Sequence, residues 1–68
     1  MNFAERLKSL RKERKLTQAQ MAEYLEITLR NYQAYEGGVH YPVLPKLIRL
    51  ADFFEVSLDY LVGRRDER

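Results

Sequence analysis

The chain has 68 residues, 46% of them hydrophobic and 32% charged, with no cysteine and a single histidine, His40. That composition fits one globular domain near the lower size limit for folding on a hydrophobic core alone. It excludes a disulfide framework and leaves no residue set for a zinc or other metal site. No apolar run approaches the thickness of a bilayer and no signal peptide precedes the charged first segment, so the expectation is a soluble, cytoplasmic domain.

The net charge of +2 is unevenly placed. Residues 1–15 carry Arg6, Lys8, Arg11, Lys12, Arg14 and Lys15 against Glu5 and Glu13, a net +4, whereas residues 16–36 set Arg30 against Glu23, Glu26 and Glu36, a net −2. A basic opening segment favours a polyanionic partner, and it equally describes a solvated helix face.

Strand alternation is absent and helix starts are frequent. Asn2 with Glu5 makes a capping-box start, and Phe3, Leu7 and Leu10 follow as an apolar stripe, so a first helix is expected to fade near Lys15. Thr17 and Gln20 form a second capping box, opening a helix to about Leu25 with Met21, Ala22 and Leu25 inward. Thr28 caps a third helix that ends at Gly37-Gly38, where glycine supplies left-handed geometry. After a loop to Pro42, a fourth helix begins near Val43 or Leu44 with Pro45 in its first turn. Its expected inner face is Leu44, Leu47, Ile48, Ala51 and Phe54. Ser57 caps a short fifth helix, Leu58 to Val62, which Gly63 stops. Residues 1–63 thus make one all-α, five-helix domain, and 64–68 a charged, frayed tail.

Lys15, Glu26 and Glu55 each follow a helix and precede an apolar residue that must turn back into the core. That geometry calls for one left-handed residue, so a positive φ is expected at all three.

The second and third helices are joined too tightly for antiparallel packing and suit a sharp crossing, which the small Ala22 permits. Gln18, Ala22, Glu26, Tyr32 and Tyr35 fall at helix-turn-helix spacing, with the second of the two helices (about Thr28–Glu36) as the reader of a DNA major groove. Tyr32 and Tyr35 face the core with Ile27. Leu29, Arg30, Gln33 and Ala34 fall on the opposite side, with Asn31 on the flank.

LTQAQMAEYLEITLRNYQAYEGG, followed by Pro42 and then LADFFEVSLDYLVG, resembles the phage Cro and repressor type of helix-turn-helix family over residues 3–63. The resemblance implies a lambda repressor-like bundle that binds double-stranded DNA sequence-specifically, as a transcriptional regulator and commonly a repressor, usually as a dimer. It implies phosphate contacts from Thr17 and Gln18 and a reading helix opening at Thr28. Leu29, Arg30 and Ala34 fall at base-facing positions, Asn31 at a position touching phosphate or a base edge, and Gln33 beside them. The loop Gly38–Val39–His40 corresponds to one whose amides meet phosphate, and Arg11 with Glu36 to a structural ion pair. Leu29 and Ala34 stand where many relatives carry polar readers; an apolar contact to a thymine methyl is physically possible there. Val39 replaces a frequent basic residue.

Phe53 and Tyr60, apolar surplus at the end of the fourth helix and on the fifth, are the expected interface of a weak homodimer. Tyr24 and Tyr41 read as surface aromatics, and His40 as a solvated loop residue near phosphate. No nucleophile–base set and no phosphate loop points to an enzyme, and nothing calls for a cofactor, a small-molecule ligand or a membrane. The competing reading is a protein-interaction or antitoxin-type module on the same fold.

Overall fold

Four of the five helix starts are written in the side chain that precedes them. The computed structural model describes all residues, 1–68, and places α1 at Phe3–Glu13, α2 at Gln18–Leu25, α3 at Leu29–Glu36, α4 at Leu44–Phe54 and α5 at Leu58–Leu61. Asn2 and Thr17 make full capping boxes with Glu5 and Gln20, while Thr28 and Ser57 accept from the amides of Asn31 and Tyr60. A side-chain cap of this kind contributes about 1 kcal/mol. α4 has no side-chain cap and relies on Pro45 in its first turn, where the missing amide hydrogen leaves nothing unpaired.

The helix ends obey one rule. In each, a left-handed residue donates its amide to the carbonyl three residues back, and the next residue donates to the carbonyl five back. The left-handed residues are Lys15 (φ 57°), Glu26 (φ 59°), Gly38 (φ 75°), Glu55 (φ 55°) and Gly63 (φ 86°), so the three expected non-glycine positions are borne out. The residues that follow three of them, Leu16, Ile27 and Val56, turn back onto the core. Gly63 has a second constraint: a Cβ there would lie 2.4 Å from the carbonyl oxygen of Met1.

The core is one cluster. Phe3, Leu7, Met21, Leu25, Tyr32, Leu50 and Leu61 are its fully buried large side chains, completed by Leu10, Ala22, Tyr35, Ala51, Phe54 and Val56. Each large aliphatic buried this way stabilises the fold by roughly 1.5–3 kcal/mol. α2 packs on α3 with Ala22 buried in the core, α1 packs on α3 and α5, and α4 closes on α5.

Three expectations change. On α4 the buried stripe is Leu50, Ala51 and Phe54 with Leu47 half-covered, while Leu44 and Ile48 stand exposed. Successive residues turn by about 100°, so Ile48 lies well round the helix from that stripe, and Leu44 lies at the end of α4. The tail is not frayed either. Ser57 donates its amide to the Arg68 carbonyl (3.0 Å), and the Arg68 guanidinium grips both oxygens of Glu13 at 2.7 and 2.5 Å. Beneath the tail, Arg6 is 3% exposed, stacked 3.8 Å over the Tyr60 ring and donating to Asp66 and the Arg65 carbonyl. A buried guanidinium needs partners, and the tail supplies them to Nη1 and Nη2 while Nε has none. Tyr24, third, does more than decorate the surface: Arg49 donates to its carbonyl at 2.7 Å, and its ring lies 4.6 Å from Phe53, joining α2 to α4.

Candidate nucleic-acid interface

Helix α3 is held from behind by aromatic packing and from one side by a chain of polar contacts. Tyr32 is fully buried and Tyr35 nearly so, in edge-to-face contact with centroids 6.3 Å apart. Glu36, at the last turn, is the centre of the polar chain. Its carboxylate accepts from Arg11 Nε (2.6 Å) and Nη2 (3.0 Å), from the Tyr32 hydroxyl (2.5 Å) and from Gln18 Nε2 (3.1 Å). The expected Arg11–Glu36 pair is therefore present, with side chains only 10% and 4% exposed.

Burial pushes the Glu36 carboxyl up, but the hydrogen bonds from Arg11, Tyr32 and Gln18 outweigh it and hold it below the usual carboxylate range. The same burial, together with the bond to Glu36, drives the Tyr32 phenol upward, so it stays a neutral donor. The bond to Glu36 raises Arg11. One carboxylate thus ties α1, α2 and α3 together and sets the angle at which α3 is presented.

The exposed side of α3 carries Leu29, Arg30, Asn31 and Gln33, with Ala34 half-buried. Thr28 accepts from the Asn31 amide and so fixes the first turn (3.1 Å). Neither the Arg30 guanidinium nor the Asn31 side-chain amide bonds to any protein group, which leaves both free for a ligand. Gln33 is different, because its Nε2 donates to Gln18 Oε1 at 3.2 Å. Gln18 is consequently engaged at both ends of its amide, with Glu36 and with Gln33. Sequence reasoning missed this link because neither residue shows its partner locally.

Two expected contacts take another form. The amides of Gly38, Val39 and His40 donate to Tyr35 O (3.3 Å), Ala34 O (2.9 Å) and Ala34 O (3.3 Å), so they close α3 and cannot also serve phosphate. A helix end must satisfy its last carbonyls, and these amides are the nearest donors. His40 still offers an exposed imidazole. The basic first helix is likewise thinner than its composition suggests: Arg6 and Arg11 are buried, and Arg14 pairs with Glu55 while lying over Phe53 and Phe54. Only Lys8, Lys12 and Lys15 remain as solvated cations of the six. At the start of α2, Thr17 is exposed and its hydroxyl caps the Gln20 amide, while the Gln18 and Ala19 backbone amides are unpaired first-turn donors.

A reading helix with a free cation and a free amide on its front, buttressed by a second helix across a left-handed turn at Glu26, defines a helix-turn-helix nucleic-acid-binding domain. Comparison with known proteins identifies it further: the helix-turn-helix domain family matches residues 4–67, and the chain belongs to that family. It is 44% identical over 64 residues to the cryptic phage CTXphi transcriptional repressor RstR of Vibrio cholerae, covering 94% of this chain and 57% of that protein. It is 46% identical over 67 residues to the uncharacterized HTH-type transcriptional regulator YqaE of Bacillus subtilis, covering 97% and 58%. The crystal structure of a transcriptional regulator from Listeria innocua superposes with a TM-score of 0.90 at 43% identity, over 98% of this chain and 63% of that one. The chain therefore spans a little over half the length of the curated relatives it matches.

Proposed function

We propose that this chain is the DNA-binding domain of a transcriptional regulator, a repressor, that reads double-stranded DNA by placing α3 in the major groove. The observation that carries the reading is the unengaged pair Arg30 and Asn31, held outward on a helix whose opposite face is buried to 0% exposure at Tyr32. Arg30 reads a guanine edge, and Asn31 serves phosphate or a base edge. Thr17, the backbone amide of Gln18 and Thr28 lie at helix N-termini, where phosphate is favoured, and the His40 imidazole adds a side-chain contact. Gln33 acts through Gln18, and Gly38 and Ala34 shape the surface instead of donating to it.

One such domain covers few base pairs, so a second copy is placed through the end of α4 and α5, where Phe53 and Tyr60 remain partly open. Both rings already have neighbours in their own chain, which makes the homodimer weak. The test is selection from a pool of random duplexes at two salt concentrations. Enrichment of one two-fold-related motif supports the reading, with affinity falling steeply in salt as phosphate contacts require. A pool without enrichment, or binding that ignores salt, removes it in favour of a protein-interaction module.

A further inference from the structure

Leu29 is the first residue of α3 and 44% exposed, an apolar side chain at the leading end of the reading helix. It lies outside the hydrophobic cluster that gathers Leu16, Ile27, Leu47 and Leu58, and a large part of its side chain faces solvent. The polar group one turn further on, Gln33, is drawn aside to Gln18 and does not cover it. The cap at Thr28 fixes the backbone of this first turn and so the position of the Leu29 Cα. A large apolar group costs solvation where it stands, and it is matched by only one feature of the major groove.

We propose that Leu29 is a specificity-determining residue that selects thymine through its C5 methyl. This rests on the DNA-binding reading above and deepens it. Thymine alone among the four bases carries a methyl on the major-groove edge. An isobutyl group pressed on it buries apolar surface on both sides. The same group pressed on an adenine N6, a cytosine N4 or a guanine O6 strips water from a donor or acceptor and returns no hydrogen bond. Leu29 therefore both rewards thymine and rejects the alternatives, a kind of discrimination that Arg30 and Asn31, which carry only polar heads, cannot supply at the same position.

The experiment uses the duplex enriched from the random pool, with each thymine replaced singly by uracil, which removes only the methyl. Binding of the native protein and of Leu29→Ala is followed by fluorescence anisotropy, and retained folding of the variant is checked by its thermal midpoint. Loss of one buried methyl corresponds to about four-fold in affinity. One thymine in each half-site is expected to show that loss with the native protein and none with Leu29→Ala. A second variant, Leu29→Gln, is expected to move the preferred base at that position to adenine on reselection, because an amide pairs with the adenine edge. The inference is overturned if the native protein binds every uracil duplex as well as its thymine parent, or if the loss persists undiminished in Leu29→Ala. Failure of the DNA-binding reading itself shows earlier, as a pool without enrichment, and takes this inference with it.

Discussion

Replacing Glu36 with glutamine keeps the size of the side chain and removes its charge, at the one point where α1, α2 and α3 meet. Four donor contacts converge on this carboxylate, two from Arg11 and one each from Tyr32 and Gln18. A glutamine offers a single acceptor oxygen and turns an NH2 group toward a cluster in which the Arg11 guanidinium cannot accept from it. Arg11 is left as a buried guanidinium with no counter-charge, its bond to the Leu16 carbonyl at 2.9 Å being to a neutral group. Removing one partner of a buried pair costs about 3–5 kcal/mol, whereas a domain of this length holds only about 3–10 kcal/mol in total. Glu36→Gln is therefore expected to be largely unfolded at room temperature, or to unfold at a much lower urea midpoint, as followed by far-ultraviolet circular dichroism. The double replacement Arg11→Met with Glu36→Met should lose less than the single one, since no charge is then left unpaired, although Tyr32 and Gln18 still forfeit an acceptor. If Glu36→Gln lay within about 1 kcal/mol of the native protein, the carboxylate would not be the tie described, and the presentation of α3 would have to come from aromatic packing alone.

The same carboxylate gives a pH dependence with a defined sign. Its folded-state pKa lies below that of an unfolded glutamate, so the unfolded chain takes up the proton first. Stability from this group should be fully present above about pH 5 and decline as pH falls through the folded value; urea titrations of native protein against the Arg11→Met, Glu36→Met double variant, which lacks the carboxyl, isolate it, and equal slopes below about pH 4 would contradict it. Glu26→Gly should be neutral or stabilising, because relief of a left-handed side chain, on the order of 1 kcal/mol, offsets the larger unfolded-state freedom of glycine; a clear loss in urea midpoint would count against it. Arg30→Ala should weaken binding to the selected duplex more than to random DNA, since a bidentate guanine contact discriminates by about 1–3 kcal/mol; equal losses would make it a phosphate contact only. Sedimentation should detect a weak dimer whose association is reduced by Phe53→Ala, and a monomer at high micromolar concentration, unchanged by that substitution, would remove the α4–α5 interface.

Local chemistry determined the parts that sequence alone could place. Asn2, Thr17, Thr28 and Ser57 announce their helices because each bonds an amide three residues away, within reach whatever the rest of the chain does. Lys15, Glu26 and Glu55 announce left-handed ends because an apolar residue must re-enter the core immediately after them. The front of α3 was legible for a similar reason: Tyr32 and Tyr35 fix which side faces inward, and Arg30 and Asn31 follow by rotation. The partners of the long polar side chains were decided only by tertiary structure. Arg6 finds Asp66 and Gln33 finds Gln18 across distances in sequence that no periodicity reports. The inner face of α4 was ambiguous because Leu44, Leu47, Ile48 and Leu50 put apolar groups on more than one flank, and the neighbouring helices chose among them. The amides of Val39 and His40 went to the Ala34 carbonyl instead of to solvent because a helix end cannot leave its acceptors unpaired once the chain has turned back over it.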